Sequence, residues 1–304
     1  MGTVLILGNG FDLDLGWKTR YSDFTNSDFW PKESVDCSGS LLQFLNRKKH
    51  TADWFDLEQY LLDFCNELLR EDVYYKDEYE RENKHFFNEL QVELGKYLEK
   101  EQENKIKSGS CAALLLKQLL SEDSKIELIY SFNYTDLYGI CQKLKIKLSE
   151  KVDYIHVHGS LKNKDFILGV DDSKVPDNYV FLQKTINIHY KSTNIIASMA
   201  LAEEVIVFGH SFGKVDEEYF RPYFEYILRQ DIVDGQCHPK IIIFTYDEES
   251  RIAILRRIFE MGINRQRLFN LCDFKIFRTK EDQKEIISYI ERRKNQIVSL
   301  QENI

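Results

Sequence analysis

Residues able to do chemistry lie directly after four short apolar runs of the chain. The first run ends in the turn Gly8-Asn9-Gly10 and is followed by Asp12, and the later runs end in Asn133, His158 and Ser211. Most of these runs are continuously apolar, which is typical of strands buried on both faces in a parallel sheet. Because the carboxyl ends of parallel strands meet at one edge of the sheet, we expect these residues to line a shared cleft.

The turn after the first run predicts a nucleotide-type site. Gly8 and Gly10 fit a tight strand-to-loop turn whose bare backbone can approach a phosphate group. The spacing lacks the third glycine of the dinucleotide-binding fingerprint, so an ordinary turn explains the two glycines as well. Asp12 would repel a phosphate, and we expect it to hold a ribose hydroxyl or to cap the next helix.

The second and third runs end in an amide and an imidazole. The Asn133 side chain can fix a ribose hydroxyl or a water, or it can form an Asx turn that caps a helix predicted over 134–148. His158 suits a general base, because an imidazole ordinarily has a pKa of about 6.5. His156 shares its strand face with His158, but no third ligand has a fixed spacing to the pair. We therefore expect no metal, and His156 is interpreted as a core histidine with its hydrogen bonds satisfied.

The sequence GHSFG at 209–213 matches the nucleophile elbow of serine hydrolases. It follows a strand and precedes a helix, as an elbow does, and Ser211 would be the nucleophile. Such a triad needs an acid and a histidine further along the chain. The only later histidine, His238, precedes the next strand and therefore belongs to the opposite sheet edge. A serine hydrolase is the weaker alternative.

The elements that would position these residues follow the pattern of a doubly wound α/β fold. The predicted strands are 3–8, 126–133, 153–159, 204–210, 239–246 and, more weakly, 273–277. Helical periodicity separates most of them, which indicates a mostly parallel, Rossmann-like sheet in a single domain spanning 1–304. Residues 25–121 interrupt this alternation and carry helical stripes. We interpret 25–121 as a helical insertion at the carboxyl edge, serving either as a lid or as a covering layer.

Composition and charge narrow the classes of function. A formal net charge of −9 argues against a basic surface for nucleic acid or for an anionic membrane. No run of about 18 apolar residues is present, so no membrane span is expected, and no signal peptide is visible. The six cysteines have no metal-type spacing and are expected to be buried, reduced thiols. We therefore expect a soluble, cytoplasmic protein whose partner is a small molecule.

Six segments taken together resemble one bacterial family. They are ILGNGFDLDLGWKTRYSDF, WFDLE, YSFNYTD, HVHGSL, ILGVDD and VFGHSFGKVDEEYF, in that order between residues 4 and 224. As a set they are similar to the abortive-infection AbiH family of phage-defence proteins. The resemblance implies a bacterial protein that limits phage spread by harming the infected cell.

The AbiH pattern is in turn similar to sirtuin-like domains, which bind NAD and in many cases hydrolyse it. This similarity implies a sirtuin-like α/β fold with the turn Gly8-Asn9-Gly10 at the cofactor. It assigns Asn133 as the catalytic amide and His158 as the catalytic base. Ser211 and Asp216 would lie in the cofactor-binding segment.

Two classes of function follow from this resemblance. The first is an NAD glycohydrolase, which cleaves the N-glycosidic bond of NAD or a related nucleotide without a metal. The second is a binding module that senses a nucleotide or a phage-derived trigger and acts through a partner protein, with the oligomeric state open. Glu58 of WFDLE has no sirtuin counterpart, and we expect it either to close the site or to face solvent.

Overall fold

The chain forms two compact units in the computed structural model. The structure describes residues 2–31, 40–51, 56–70, 77–121, 126–170, 175–230 and 239–301. The first unit contains the segments Met1–Trp17, Lys105–Val157 and Ser192–Ile304. The second unit contains Lys18–Asn104 and His158–Lys191. Each unit is therefore built from segments that are distant in sequence.

A parallel sheet is the centre of the first unit. Within the described residues its six strands are β1 Thr3–Leu7, β2 Ile126–Ser131, β3 Asp153–His156, β4 Glu204–Phe208, β5 Lys240–Thr245 and β6 Asp273–Arg278. They lie in the order β3-β2-β1-β4-β5-β6, and every neighbouring pair is parallel. The predicted Rossmann-like α/β fold is confirmed. The strand order reverses between β1 and β4, which is where open α/β sheets of this order bind ligands.

Helices cover both faces of this sheet. The helices of the two units are α1 Asn9–Leu15, α2 Tyr21–Thr25, α3 Leu41–Thr51, α4 Leu57–Arg70, α5 Asp77–Glu103, α6 Cys111–Leu119, α7 Leu137–Leu144, α8 Ile195–Leu201, α9 Glu217–Leu228, α10 Glu248–Glu260, α11 Arg265–Leu271 and α12 Gln283–Gln301. One apolar core joins the sheet to α1, α6, α7 and α12. A second core joins the opposite face to α8, α9, α10 and α11.

Strand β1 shows why its apolar run is continuous. Leu5 and Leu7 belong to the core on one face, and Val4 and Ile6 belong to the core on the other. All four side chains are buried, with exposures of 5% or less. Burying an aliphatic side chain contributes about 1.5–3 kcal/mol to stability. A strand in this central position gains that energy from both faces, so polar alternation would be destabilising.

The described part of the second unit contains helices together with loops and one isolated β-bridge, between Val170 and Gln183. Its helices are α2, α3, α4 and α5, together with a short 3-10 helix, Asp177–Leu182. The buried Asn83 side chain connects three of these segments. Its Oδ1 accepts from Leu41 N at 2.7 Å, and its Nδ2 donates to Tyr179 Oη at 3.0 Å. These two hydrogen bonds replace the hydrogen bonds to water that the amide loses when it is buried.

The predicted insertion 25–121 is divided between the two units. Residues 18–104 belong to the second unit, which also includes 158–191, whereas α6 packs in the first unit. The alternative in which the insertion serves as a lid stays a prediction. Several motif residues lie outside the described residues, namely Trp54 and Phe55 of WFDLE, Asp171 and Asp172 of ILGVDD, and His238.

Two further expectations concern membranes and thiols. Among the described residues, every helix is too short or too polar to span a bilayer. The described cysteines are buried free thiols whose pKa is raised by burial, and they are Cys65, Cys111, Cys141 and Cys272. Cys37 and Cys237 lie outside the described residues. High thiol pKa values make these four cysteines poor nucleophiles.

Candidate functional site

The turn after β1 packs directly against the turn after β4. Gly8 N–H donates to Phe208 O at 2.9 Å, and Gly10 N–H donates to Gly209 O at 2.8 Å. A Cβ at Gly8 would lie 2.6 Å from His210 Cα, and a Cβ at Gly10 would lie 2.6 Å from Gly209 Cα. Real Cβ atoms do not approach that closely, so both positions require glycine for backbone packing.

This packing changes the role expected for the two glycines. Their N–H groups donate within the protein, so the expectation that they donate to a pyrophosphate has no geometric support. Gly209 has a φ of 69°, and a Cβ there would overlap Phe11 N, which adds a third glycine requirement at the same contact. Asn9 is the first residue of α1 and is half-buried. Its proposed part in cofactor binding stays a prediction.

Asp12 is a buried carboxyl at the carboxyl edge of the sheet. It lies inside α1 and is 1% exposed, so the predicted capping of the next helix is wrong, and Gly8 occupies the N-cap instead. Thr135 Oγ1 donates to Asp12 Oδ2 at 2.8 Å. The other oxygen, Oδ1, is buried without a hydrogen-bond partner among the described residues.

Burial dominates the ionisation of Asp12. It raises the pKa of this carboxyl from 3.8 to about 7, although the Thr135 hydroxyl and the Asn133 amide both favour the charged form. The Asn133 Nδ2 donates to Gly8 O at 3.0 Å, and it is not within hydrogen-bonding geometry of Asp12 Oδ1, which has no partner among the described residues. A buried carboxyl that titrates near neutrality is typical of functional sites.

Asn133 joins the end of β2 to the end of β1. Its Nδ2 donates to Gly8 O at 3.0 Å, and the side chain is buried. The alternative that Asn133 caps the following helix is wrong, because Asp136 does so. The Asp136 carboxylate accepts from Tyr138 N and Gly139 N at 3.1 Å each, and α7 begins at 137 rather than 134.

The two histidines near the end of β3 have different environments. His156 is the last residue of β3 and is half-buried, and its Nδ1 lies 2.9 Å from the backbone oxygen of Asn133. His158 begins the second unit and is 6% exposed, and its carbonyl accepts from Ile167 N at 2.8 Å. The catalytic role that the resemblance gives to His158 stays a prediction.

The GHSFG segment does not have the geometry of a nucleophile elbow. His210 Nδ1 accepts from Phe212 N at 3.0 Å, and its Nε2 lies 3.2 Å from Asp216 Oδ2. Both ring nitrogens are thus engaged, and this neighbouring histidine cannot serve Ser211 as a base. The positive φ values of the segment belong to Gly209 and Phe212 rather than to Ser211, which is exposed.

His210 and Asp216 form a structural pair of this turn. The His210 ring lies among aromatic side chains, with centroid distances of 4.5 Å to Phe132 and 4.7 Å to Phe220. Together these contacts fix the turn against α9. Asp216 was identified from the sequence only through the resemblance, and no role was predicted for His210. The pairing of the two residues depends on the geometry of the turn, which local sequence patterns do not predict.

Glu58 of the second unit does not face solvent. It is 6% exposed, and its Oε2 lies 3.1 Å from Lys184 Nζ, which is also buried. A buried carboxylate requires such a partner, because desolvation of an isolated charge is costly. The sequence around Glu58 does not predict this partner, because the lysine is 126 positions away in the chain.

Sequence analysis missed three polar residues that surround Asp12 and Asn133. Ser131 ends β2, and its Oγ both donates to Asn133 O and accepts from Asn133 N, at 3.2 Å each. Thr135 is the partner of Asp12, and Tyr154 Oη donates to Thr135 O at 3.4 Å. The alternation of polar residues in YSFNYTD is the one signal that could have indicated Ser131 and Thr135.

Comparison with known proteins gives one family. The sequence profile of the family described as bacteriophage abortive infection AbiH matches residues 4–233. The search of curated proteins returned no match. The matched region includes β1, β2, β3 and β4 with the polar residues that follow them. The chain belongs to the bacteriophage abortive infection family AbiH, and its role is in phage defence by abortive infection.

Proposed function

We propose that the carboxyl edge of the first unit's sheet binds a nucleotide, NAD or a close relative, and that the protein acts in phage defence by hydrolysing it. The proposal names NAD because of the resemblance to sirtuin-like domains. The strand order supports a nucleotide ligand in general, because Rossmann-like sheets bind nucleotides where their order reverses. Asp12 and Asn133 follow β1 and β2 at that edge.

The observation that carries the proposal is the buried Asp12 oxygen. Buried polar atoms in proteins are almost always hydrogen-bonded, and Oδ1 has no partner among the described residues. A ribose hydroxyl is the donor that such a carboxyl would bind. Because burial raises the pKa of Asp12 to about 7, the group can accept a hydrogen bond or supply a proton at neutral pH.

The proposed roles follow the chemistry of N-glycosidic cleavage. Asp12 holds a ribose hydroxyl. Asn133 holds the loop after β2 against the turn after β1 through its hydrogen bond to Gly8 O. The resemblance to sirtuin-like domains implies a catalytic amide at Asn133 and a base at His158, and it implies that Ser211 and Asp216 belong to the cofactor-binding segment. Glycosidic cleavage needs an oriented ribose more than it needs covalent help, so fixed hydroxyl contacts contribute directly to the rate.

The test measures binding and turnover on the same protein. Purified wild type and Asp12→Asn are titrated with NAD by calorimetry, and nicotinamide release is followed by chromatography. Loss of a hydrogen bond to a charged group costs about 1.5–3 kcal/mol, so Asp12→Asn should bind NAD about 10- to 100-fold more weakly. Asp153→Asn removes an exposed acid at the other end of the sheet and should bind like the wild type.

Three outcomes separate the alternatives. NAD binding with nicotinamide release supports hydrolysis, whereas binding without release supports the sensing module that acts through a partner. A wild type that binds no NAD, or an Asp12→Asn variant that binds it as tightly as the wild type, contradicts the proposed site. Plaque counts in cells expressing each variant then show whether the same residue is needed for phage defence.

A further inference from the structure

Tyr246 is an exposed aromatic residue at the carboxyl edge of the first unit's sheet. It directly follows β5, and it is 56% exposed. The other exposed aromatic residues described in this unit are Tyr138, Tyr226, Phe259 and Phe269. Of these, Tyr138 also follows the carboxyl end of a strand, but its ring packs edge-on against Tyr154 at 6.1 Å. Tyr246 has no aromatic neighbour among the described residues, so its ring is open at the edge where the nucleotide is proposed to bind.

The backbone on both sides of Tyr246 is held in place. Lys280 N donates to Tyr246 O at 2.9 Å, which continues the hydrogen bonding between β5 and β6 beyond the two strands. The next residue, Asp247, caps α10 by accepting a hydrogen bond from Ser250 N at 3.1 Å. A tyrosine on a fixed backbone has few rotatable bonds left to order when a flat ligand binds to its ring. Tyr246 is thus both exposed and already positioned.

A cation lies over the Tyr246 ring. Lys280 Nζ is 5.3 Å from the ring centroid, and Lys280 follows the carboxyl end of β6, the strand next to β5. An ammonium over a tyrosine ring is an attractive arrangement, and it brings positive charge beside the exposed aromatic surface. Nucleotide sites in proteins combine aromatic rings, on which bases stack, with basic side chains for the phosphates. Tyr246 and Lys280 supply one group of each kind.

The strand that Tyr246 follows is two positions along the sheet from the strand that Asp12 follows. Leu7 of β1 is in register with Phe208 of β4, and Phe208 is in register with Phe244 of β5. Neighbouring strands are about 4.8 Å apart, so the ends of β1 and β5 are about 10 Å apart. In NAD the nicotinamide ribose and the adenine are separated by the pyrophosphate and the second ribose, so the dinucleotide can bridge this distance.

We propose that Tyr246 is the stacking platform for the adenine base, and that it makes the site selective for NAD over nucleotides that lack adenine. The inference rests on the proposed nucleotide binding and adds a base subsite to it. With adenine on Tyr246, the ribose at Asp12 is the one that carries nicotinamide. Tyr246 lies beyond residues 4–233, which match the family profile, so the subsite belongs to the part of the chain outside the match.

The key variant is Tyr246→Ala. Each purified protein is titrated by calorimetry with NAD and with nicotinamide mononucleotide, which has the nicotinamide ribose but no adenine. Loss of an aromatic side chain on which a base stacks should weaken NAD binding about 5- to 150-fold. Binding of nicotinamide mononucleotide should stay within about twofold of the wild type, because this ligand has no base to stack there. Tyr246→Phe keeps the ring and should bind both ligands like the wild type.

Two further variants complete the comparison. Tyr226→Ala removes an exposed tyrosine from the last turn of α9 and should bind NAD like the wild type. Asp12→Asn should weaken the binding of both ligands, because both contain the ribose that Asp12 is proposed to hold. The two site variants therefore give different patterns across the same pair of ligands. Melting temperatures confirm that each variant is folded.

The outcomes distinguish this inference from the proposed function. If Tyr246→Ala binds NAD like the wild type while Asp12→Asn does not, the base subsite is wrong and the proposed site stands. If Tyr246→Ala loses both ligands equally, the residue supports the site as a whole and is not a base platform. If the wild type binds no NAD, the proposed ligand fails, and the proteins are titrated with ATP, which has the same adenine. Weaker ATP binding by Tyr246→Ala than by the wild type then supports the base subsite, and equal or absent ATP binding overturns it.

Discussion

Two buried carboxyls, one in each unit, have opposite electrostatic environments. Glu58 in the second unit lies 3.1 Å from the ammonium of Lys184, and both side chains are at most 9% exposed. Asp12 in the first unit has a neutral hydroxyl as its partner, and one of its oxygens has none among the described residues. Burial accordingly raises the pKa of Asp12 to about 7.

The difference separates a structural pair from a candidate functional group. A buried carboxylate beside an ammonium holds two segments of the chain together, although such pairs add little net stability. A buried carboxyl without a neighbouring cation destabilises the fold when it ionises. Destabilising groups of this kind are typically found at functional sites. The comparison thus favours Asp12 over Glu58 as a site residue.

The largest effect should follow from breaking the pair in the second unit. Lys184→Met leaves the Glu58 carboxylate buried without its cation, and loss of one partner of a buried pair costs about 3–5 kcal/mol. Hydrogen exchange of the α4 amides, which include Glu58, should report this loss locally. The double variant Glu58→Gln with Lys184→Met should recover most of it. A cost below about 1 kcal/mol for Lys184→Met would show that the pair does not secure the unit.

The second effect depends on pH and concerns Asp12. Folded Asp12 keeps its proton up to about pH 7, whereas the unfolded carboxyl releases it near 3.8. The stability gained from this protonation is complete below about pH 4 and is lost as the pH rises to about 7. The total loss comes to roughly 4 kcal/mol, at about 1.4 kcal/mol for each pH unit.

Asp12→Asn should remove this dependence. Free energies of unfolding from urea titrations at about pH 5 and about pH 8 should differ less in Asp12→Asn than in the wild type. The exposed-acid variant Asp153→Asn should follow the wild type. Equal pH dependence in the wild type and Asp12→Asn would mean that Asp12 ionises at the usual pH in the folded protein.

The smallest effect should come from the hydroxyl beside Asp12. Thr135 Oγ1 donates to the carboxyl and lowers its pKa, in opposition to burial. Thr135→Val should therefore raise the pKa of Asp12 further and cost about 1 kcal/mol above neutral pH. Carboxyl titration by NMR measures the pKa directly. Thr135→Ser keeps the hydroxyl and should leave the pKa close to that of the wild type, and an equal shift in both variants would contradict this role.

The sheet could be predicted from the sequence because its signal is local. Mostly apolar runs of five to eight residues predicted every strand of the described sheet, and their continuity favoured a parallel arrangement buried on both faces. The carboxyl-edge residues Asp12 and Asn133 followed from the same runs. Their position at the ends of β1 and β2 was therefore predictable, and so was the family to which the motifs belong.

The partners of these residues could not be predicted, because they are brought together from distant parts of the chain. Asn133 bonds to a carbonyl 125 positions away, and Glu58 pairs with a lysine 126 positions away. Gly8 and Gly10 looked like a phosphate turn, yet the backbone at 209–210 accounts for them. Hydrophobic periodicity depends on residues that are close together in sequence, so it does not predict contacts between residues that are far apart in the chain.

The sequence by itself determined the strands, their parallel direction and the family. These features depend on apolar runs and motifs formed by residues that are close together in the chain. Tertiary structure alone decided that Asp12 is buried with one oxygen unpartnered among the described residues, that the Asn133 side chain donates to Gly8 O, and that residues 18–104 and 158–191 form one unit. The physical reason is that desolvation and hydrogen-bond pairing depend on three-dimensional proximity, which a linear pattern does not contain.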